Sequence, residues 1–581
     1  MTVSGGFDSL SSPPISSLQK EEHDIKMHRF GLLHKFYPWL VSIFFLIIYL
    51  IQPTNLPYID GLYYSYHVEH MPLKDTLHPH HLLFLTITQL LYTALHSIFL
   101  SLKGLPFYQI LNSVLAAVTI FYIYQLFLKL YKSYTGAILA AFFYASTFGF
   151  WHHATDANIY ISFNLLLTIL LTRFLLDKDF VNPRHLFITA LLAACATLVH
   201  QLGIFLLIPF GSYLLSHSNN RRENVVVFSK FLATYLTAVI IPYILAFVIF
   251  VADGAPSIPL FAKWVTAYGT NRIFWPILFH DAGYVIGVVA RSQFESLFHV
   301  IPAQKIMFHG NQTGEGISLL NLFNFTLALV LMLIIERVHY INYRANPESK
   351  MMNRKLLVWM TPFFIFFGFF APENYFYRIL YLAPLMIFAT GLIMSSTLKR
   401  GKLKVIIAVF VAFTFIYNAW DGIIPESKTK NNPYYVQAEA VYNEPSIGDD
   451  SLIIFAEDER YLAATFRYNF DRECLHAMGN TRYKITDSEK VRKAKSETAE
   501  FIAQKYEKIY LSTVAIEMGV ETYYFSLNNY PPPHPEIMVV DKDQMVQTAT
   551  VLTPYGTYFR IEIDKTDESN SSENDIPALV E

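Results

Sequence analysis

Between residues 38 and 420 the chain is a succession of long apolar runs, and that leaves few folds open to it. A helix of about 20 apolar residues crosses the hydrocarbon of a bilayer with every backbone N–H and C=O satisfied internally. Runs are readable at 38–52, 82–102, 106–130, 135–150, 158–176, 185–200, 202–216, 230–251, 317–336, 356–371, 376–396 and 403–420. Charged residues make up only 15% of the 581 positions, whereas a soluble domain carries about 25%. The expected class is a polytopic α-helical membrane protein.

The flanks differ from this body. Residues 1–35 are polar and carry Lys20, Lys26, Arg29 and Lys35, without the short apolar core and cleavage site of a secretory signal. The first run therefore reads as a retained anchor behind a cytoplasmic tail. Residues 421–565 mix polar and apolar positions as a globular domain does, and residues 566–581 are acidic, Ser/Asn-rich and expected to be disordered. Cys195 and Cys474 are too far apart in sequence to suggest a metal motif or a disulfide framework. A net charge of −2 argues against a nucleic-acid partner.

Orientation follows from the basic residues, which cytoplasmic loops collect. The clusters are Lys129/Lys132, Lys178/Arg184, Arg221/Arg222/Lys230, Arg337 to Lys355, and Lys399/Arg400/Lys402/Lys404. If every run crossed, Lys129/Lys132 would lie outside and most later clusters would be reversed. If run 82–102 enters the outer leaflet without crossing, all the clusters fall inside. That run begins at Pro79-His80-His81 and contains Gln89 and His96, polar enough for an interfacial helix. The reading is about eleven spans plus one juxtamembrane helix in a long first outer loop, residues 53–105. Segment 151–157, the His200–Gln201 turn, residues 252–316, the turn at 371–378 and the C-terminal domain then share the extracytoplasmic side.

Polar residues of chemical interest gather on that side. Asp60 follows the first span in PYIDG, where Gly61 lets the backbone turn. Asp156 lies in ATDAN and reads equally as the N-cap of a helix starting near Asn158. His67, His70, His78, His80, His81, His152, His153 and His200 lie on outer loops or helix ends. Imidazole and carboxylate together suit a divalent metal, with Asp60, Asp156 and His78 as candidate ligands, but hydrogen bonding to lipid headgroups accounts for such histidines too. Arg378, at the outer end of a span, needs an anion or a wet cavity. A lipid phosphate would fit its fork, and snorkelling to ordinary headgroups is the alternative.

With this orientation the pattern resembles the GT-C superfamily of membrane glycosyltransferases, in particular the protein O-mannosyltransferase and aminoarabinose transferase branch. An early acidic residue in the first outer loop is matched by Asp60. The HPP-like start of a juxtamembrane helix is matched by His78-Pro79-His80-His81-Leu82-Leu83, and the A-T-x-D type loop by His152-His153-Ala154-Thr155-Asp156. The likeness covers residues 36–420 in architecture. The chain departs from the pattern in three places: HPH stands for HPP, Gly61 stands where a second acid is common, and His200-Gln201 replaces a frequent Lys. The resemblance implies a GT-C-like fold with a small C-terminal α/β domain. It also implies inverting transfer of a sugar from a polyprenyl-phosphate-linked donor to a protein, lipid or polysaccharide acceptor. In that scheme Asp60 is the general base and Asp156 positions the acceptor or shares a metal. Arg378, His200 and Gln201 bind the donor phosphate, and His78, His80, His81, His152 and His153 line the cavity.

Three other classes compete. A transporter would favour internal repeats and polar groups at mid-membrane, and neither is visible. Membrane-bound O-acyl transfer would favour a histidine within a span, and a non-catalytic scaffold could keep the fold alone. In residues 421–565, LIIFA (452–456), KIYLS (508–512), EIMVV (536–540) and YFRIEI (558–563) read as strands and 488–505 as a helix. This small α/β domain, with no phosphate-binding fingerprint, is expected to cover the cavity or bind acceptor. The sequons at Asn311 and Asn570 are too short to fix a compartment.

Overall fold

Helices form along the apolar runs and stop where a side chain offers the backbone another partner. The computed structural model describes residues 36–177, 180–250, 257–266, 282–299, 347–394, 400–456, 459–472, 474–478, 506–517, 522–526, 537–541 and 545–563. Helices α1 (Phe36–Ile51), α2 (Ile59–His70), α3 (Leu82–His96), α4 (Gly104–Tyr131), α5 (Tyr134–Ser146), α6 (Phe148–Ala154), α7 (Tyr160–Leu176), α8 (Pro183–Val199), α9 (Leu207–Leu214) and α10 (Arg221–Phe250) follow in order. Beyond them come α11 (Ile258–Thr266), α12 (Ala282–Leu297), α13 (Pro347–Phe369), α14 (Leu382–Met394) and α15 (Arg400–Tyr417). Local chemistry explains several boundaries. Helix α4 ends at Lys132, whose φ of 51° is left-handed. The Ser133 hydroxyl caps α5, and Asn182 followed by Pro183 opens α8.

Several helices present apolar faces to the exterior, and polar groups are buried among the apolar side chains of the interior. On α3, Thr88, Gln89 and Tyr92 are buried while Ile87, Leu90, Leu91 and Leu95 are exposed. Helix α10 exposes Ile240, Ile241, Ile244, Leu245, Val248 and Ile249. Such faces are suited to lipid. Among the described residues three helical stretches are long and apolar enough to cross a membrane: Gly104–Tyr131, Arg221–Ile249 and Lys404–Glu426. The 15 residues of α3 extend for about 22 Å, short of a hydrocarbon core of about 30 Å.

Several boundaries differ from expectation. The run 135–150 is two helices, because the Thr147 backbone is extended (ψ 138°) and its hydroxyl donates to the Tyr144 carbonyl. His152 and His153 therefore sit on a buried helix and not in a loop. Runs 202–216 and 376–396 begin as 3-10 turns, Gln201–Leu206 and Tyr375–Tyr381. The stretch 252–316 holds α11 and α12 among its described residues. The tail 1–35, the run 317–336, both sequons, the helix expected at 488–505 and the tail 566–581 lie outside the described residues.

The C-terminal part joins helices α16 (Pro433–Tyr442) and α17 (Arg460–Phe470) to a seven-stranded sheet. Its strands are β1 (Ser451–Phe455), β2 (Cys474–Met478), β3 (Lys508–Ser512), β4 (Thr522–Ser526), β5 (Ile537–Asp541), β6 (Met545–Thr553) and β7 (Gly556–Ile563). The order is β5-β4-β2-β1-β3-β7-β6, parallel across β2-β1-β3 and antiparallel elsewhere. Ile453, Phe455, Phe466, Cys474 and Tyr558 form its core. Helix α17 docks on α2, where Tyr461 meets Tyr58 at 6.4 Å between ring centroids and Arg467 lies 5.6 Å over Tyr66.

Candidate active site

The polar floor of the site is made by α4. Asn112 Nδ2 donates to the carbonyls of Asp156 and Asn158, both at 2.8 Å, and Ser113 Oγ donates to that of Ala154 at 3.0 Å. Gln109 holds the Thr54 carbonyl at 2.7 Å. These bonds fix the turn after α6 against the segment after α1. The Tyr58 amide donates to Asp156 Oδ2 at 3.1 Å, and the Ala157 amide to Oδ1 at 2.7 Å. The carboxylate of Asp156 thus does not cap α7. Asn158 does so, accepting from Tyr160 N at 3.0 Å.

Asp60 stands two residues beyond that Tyr58 amide, in the first turn of α2. Gly61 is inside this helix, not in a turn, and a Cβ there would run into the carbonyl oxygen of Ala157. Glycine is required for the close approach of the two aspartate-bearing segments. Asp60 is half-buried. Burial pushes its carboxyl up to about 6, and the Arg460 guanidinium on α17 pulls it back. Its charge is also felt by Tyr58, Tyr63, Tyr377 and Tyr461, which share this rim.

Asp156 is fully buried, and its carboxyl is pushed up to about 7 by that burial, against the pull of His152 and the two backbone amides. His152 Nε2 faces Asp156 Oδ2 at 3.8 Å, and its Nδ1 lies 2.8 Å from Glu426 Oε2. Burial disfavours the imidazolium, but the Glu426 and Asp156 carboxylates outweigh it and raise the His152 pKa above its ordinary value. Next to it, both ring nitrogens of His153 are buried without a hydrogen-bond partner.

A second group of imidazoles lies at the start of α3. His78 and His81 stack at 5.7 Å, His80 is 5.4 Å from His78, and His81 meets His200 edge-on at 4.8 Å. Burial holds these rings neutral: His80 falls to about 4, His200 to about 3, and His78 and His81 well below the usual value. Tyr160 joins the two groups, 5.3 Å from His153 and 5.9 Å from His200. The aspartates, His152, His153, His78, His80, His81 and His200 thus line one continuous polar and aromatic zone.

Arg378 and Gln201 are placed differently from expectation. Arg378 is fully buried. Its Nε donates to Ser292 Oγ at 3.0 Å, Nη1 to Tyr381 Oη at 3.3 Å, and Nη2 to the carbonyls of Pro372 and Phe367 at 2.6 and 3.3 Å. With four of its bonds made to protein, the guanidinium ties α12 to the 371–378 turn and does not offer a phosphate fork. Gln201 Nε2 likewise donates to the Val265 carbonyl at 3.2 Å. Among the described residues no three His, Cys, Asp or Glu side chains gather as a metal ion requires. Asp60, Asp156 and His78 are not gathered into such a group.

Four polar residues of this zone escape sequence reading. Asp421 directly follows the last apolar run, Glu426 stands in GIIPES, and His299 and Arg460 lie in stretches without any motif. Two carboxylates just past the last apolar run were the available signal.

No protein-family model matches the chain, and no curated protein matches it. Among solved structures it is similar to ArnT from Cupriavidus metallidurans bound to undecaprenyl phosphate, with a TM-score of 0.48 and 10% identity over 88% of this chain and 98% of that one. The same protein in the apo state gives a TM-score of 0.49 at 10% identity, again over 88% of this chain and 98% of that one.

Proposed function

We propose that this protein is a membrane glycosyltransferase that moves a sugar from a polyprenyl-phosphate-linked donor to an acceptor hydroxyl on the extracytoplasmic side. The observation that carries the reading is Asp60: a half-buried carboxyl raised to about 6, beside Arg460, on the rim that also holds Asp156. A base serves best when its pKa lies near the working pH. The sequence motifs around Asp60, His78 and Asp156 agree with it, and so does the lipid-suited exterior.

In the reaction the acceptor oxygen attacks the anomeric carbon as its proton passes to Asp60. The bond from that carbon to the phosphate oxygen breaks on the opposite face, so the configuration inverts and polyprenyl phosphate leaves. Negative charge grows on the phosphate, and a nearby cation stabilises it. With Arg378 committed to protein oxygens, Arg460 takes that role in this proposal. The neutral imidazoles His78, His80, His81 and His200 supply hydrogen bonds and a flat apolar wall for the donor. Asp156 fixes the Tyr58 amide and through it the position of Asp60. No step passes through a metal.

The test compares glycans of cell-envelope or secreted material from cells with the protein, without it, and with Asp60→Asn. A glycan lost in the last two, with Asp60→Asn protein present at normal abundance in the membrane, is the expected result. Undiminished transfer by Asp60→Asn sinks the assignment of the base.

A further inference from the structure

From Asp156 a line of titratable groups runs to the surface. Asp156 Oδ2 faces His152 Nε2 at 3.8 Å, and His152 Nδ1 bonds Glu426 Oε2 at 2.8 Å. Glu426 Oε1 faces His299 Nε2 at 3.9 Å, and His299 Nδ1 bonds Asp421 Oδ2 at 3.0 Å. The Asp421 side chain is 47% exposed, whereas those of Glu426 and His152 are 7% and 1% exposed. Carboxylate and imidazole alternate from the interior to the protein surface, with two hydrogen-bonded steps and two longer ones of 3.8 and 3.9 Å.

The unpaired atoms fall at the joints of this line. His152 Nε2, Glu426 Oε1 and His299 Nε2 are all buried without a hydrogen-bond partner. A buried polar atom left so is unfavourable unless it has a use. Here the three point across the two longer steps, and an approach of roughly 1 Å at either step makes a hydrogen bond. Each imidazole has its other nitrogen bonded, which is the arrangement a ring needs to take a proton on one side and release one on the other.

The backbone is shaped to seat these groups. A π turn at Asn418–Ile423 follows α15 and presents Asp421. Asn418 Oδ1 accepts from the His299 amide at 2.9 Å, and Tyr417 Oη donates to the His299 carbonyl at 2.8 Å. A Cβ on Gly422 would lie 2.9 Å from His299 Cγ and 2.8 Å from Phe148 Cε2, so glycine lets the imidazole sit there. The Glu426 carbonyl is held by Asn55 N at 2.8 Å. Other titratable groups facing the line are His153, Tyr375 and Glu295, the last paired with Arg291 at 2.7 Å.

We infer that His152, Glu426, His299 and Asp421 form a proton path between Asp156 and the outer solution. The inference rests on the transferase reading for its purpose: transfer changes the charge on Asp60, and the path lets the buried Asp156 on the same rim exchange its own proton with solution. A proton on Asp156 Oδ2 passes to His152 Nε2 as one leaves Nδ1 for Glu426. Glu426 then yields one to His299 Nε2 as another leaves Nδ1 for Asp421 and water. One proton enters, one leaves, and no bond between heavy atoms changes.

The test uses the full-length protein in lipid nanodiscs and difference infrared spectroscopy. The carboxyl C=O band of protonated Asp156 is assigned by its loss in Asp156→Asn. Its hydrogen–deuterium exchange rate is then read after a switch to heavy water, in the protein as it stands and in Asp421→Asn and His299→Gln. The path predicts exchange at least tenfold slower in both variants. Rates equal to that of the unchanged protein overturn it. Asp421→Asn is a surface change, so misfolding of a buried variant does not obscure the result. The infrared reading needs no donor or acceptor, so failure of the path and failure of the transferase assignment are separately visible.

Discussion

The charge on Asp60 is set by two opposed influences, and removing one has a definite sign. Burial raises its carboxyl to about 6 and Arg460 lowers it. A base must be ionised, so transfer should fall as pH drops through about 6. Arg460→Gln takes away the lowering influence, so this acid limb should move to higher pH; a limb that stays in place would show that Arg460 does not act on Asp60. Asp60→Asn should slow transfer by about 100-fold or more. Arg378 makes the opposite kind of prediction. Its loss in Arg378→Met leaves the Phe367 carbonyl and Ser292 Oγ without this donor and the Pro372 carbonyl with Ser292 Oγ alone, so stability should fall by about 1–3 kcal/mol. A lower thermal midpoint with unchanged KM for donor in the folded fraction is expected, and a raised KM at unchanged stability would restore a phosphate-binding role. Asp60 and Asp156 were legible in the sequence because a carboxylate beside an apolar run is costly and invites a reason. Glu426 was not, because its partner His152 is 274 positions away and no local pattern announces the pair. Arg378 was read as needing an anion or a wet cavity, whereas a hydroxyl pair and two backbone carbonyls accept its hydrogen bonds here.

Segments meet at this site through small residues and single bonds, and their loss should be felt over a distance. Gly61→Ala would press a methyl group on the Ala157 carbonyl and push α2 from the turn that holds Asp156. Overpacking of this kind costs about 1–3 kcal/mol, and the Tyr58 amide bond to Asp156 would lengthen with it. Lower transfer with an unaltered donor KM is expected; full activity would mean that the two segments need not touch. On the far side of α2, Tyr468 Oη donates to Glu69 Oε1 at 2.9 Å and accepts from Leu105 N at 2.8 Å. Tyr468→Phe removes both bonds, which should loosen α17 from α2 by about 1–3 kcal/mol, read as faster protease cleavage between α15 and β1. The long uninterrupted helices α4, α7, α8 and α10 were legible from apolar length alone. The break at Thr147 was not, because hydropathy is blind to whether a hydroxyl turns onto the Tyr144 carbonyl. The strands at 508–512 and near 452–456, 536–540 and 558–563 were visible as short β-branched or aromatic runs, but the crossed order of the sheet comes from long-range pairing that no segment encodes by itself.

The proposed orientation of the chain in a bilayer rests on which helix ends carry the site. The start of α4 at Gly104, the start of α7 at Tyr160 and the end of α8 at Val199 surround it. The opposite ends carry Lys132, Arg173 and Arg184, and α10 begins at Arg221-Arg222. Helices α4 and α10, with 28 and 30 residues, extend about 42 and 45 Å, enough to cross about 30 Å of hydrocarbon with both ends in the headgroups. In the proposed orientation the Lys/Arg ends are cytoplasmic, and the site and the seven-stranded sheet then lie outside. This is the arrangement expected from the charges in the sequence, with α3 kept from crossing. Cysteine labelling in whole cells tests it, starting from a variant with Cys195 and Cys474 replaced by Ala. Asp449, whose side chain is 97% exposed beside β1, and Arg222, exposed at the start of α10, are changed one at a time to Cys. A membrane-impermeant maleimide should label Asp449→Cys on intact cells and Arg222→Cys only after permeabilisation. The reverse pattern would place Asp60 on the cytoplasmic face, where an extracytoplasmic acceptor could not reach it.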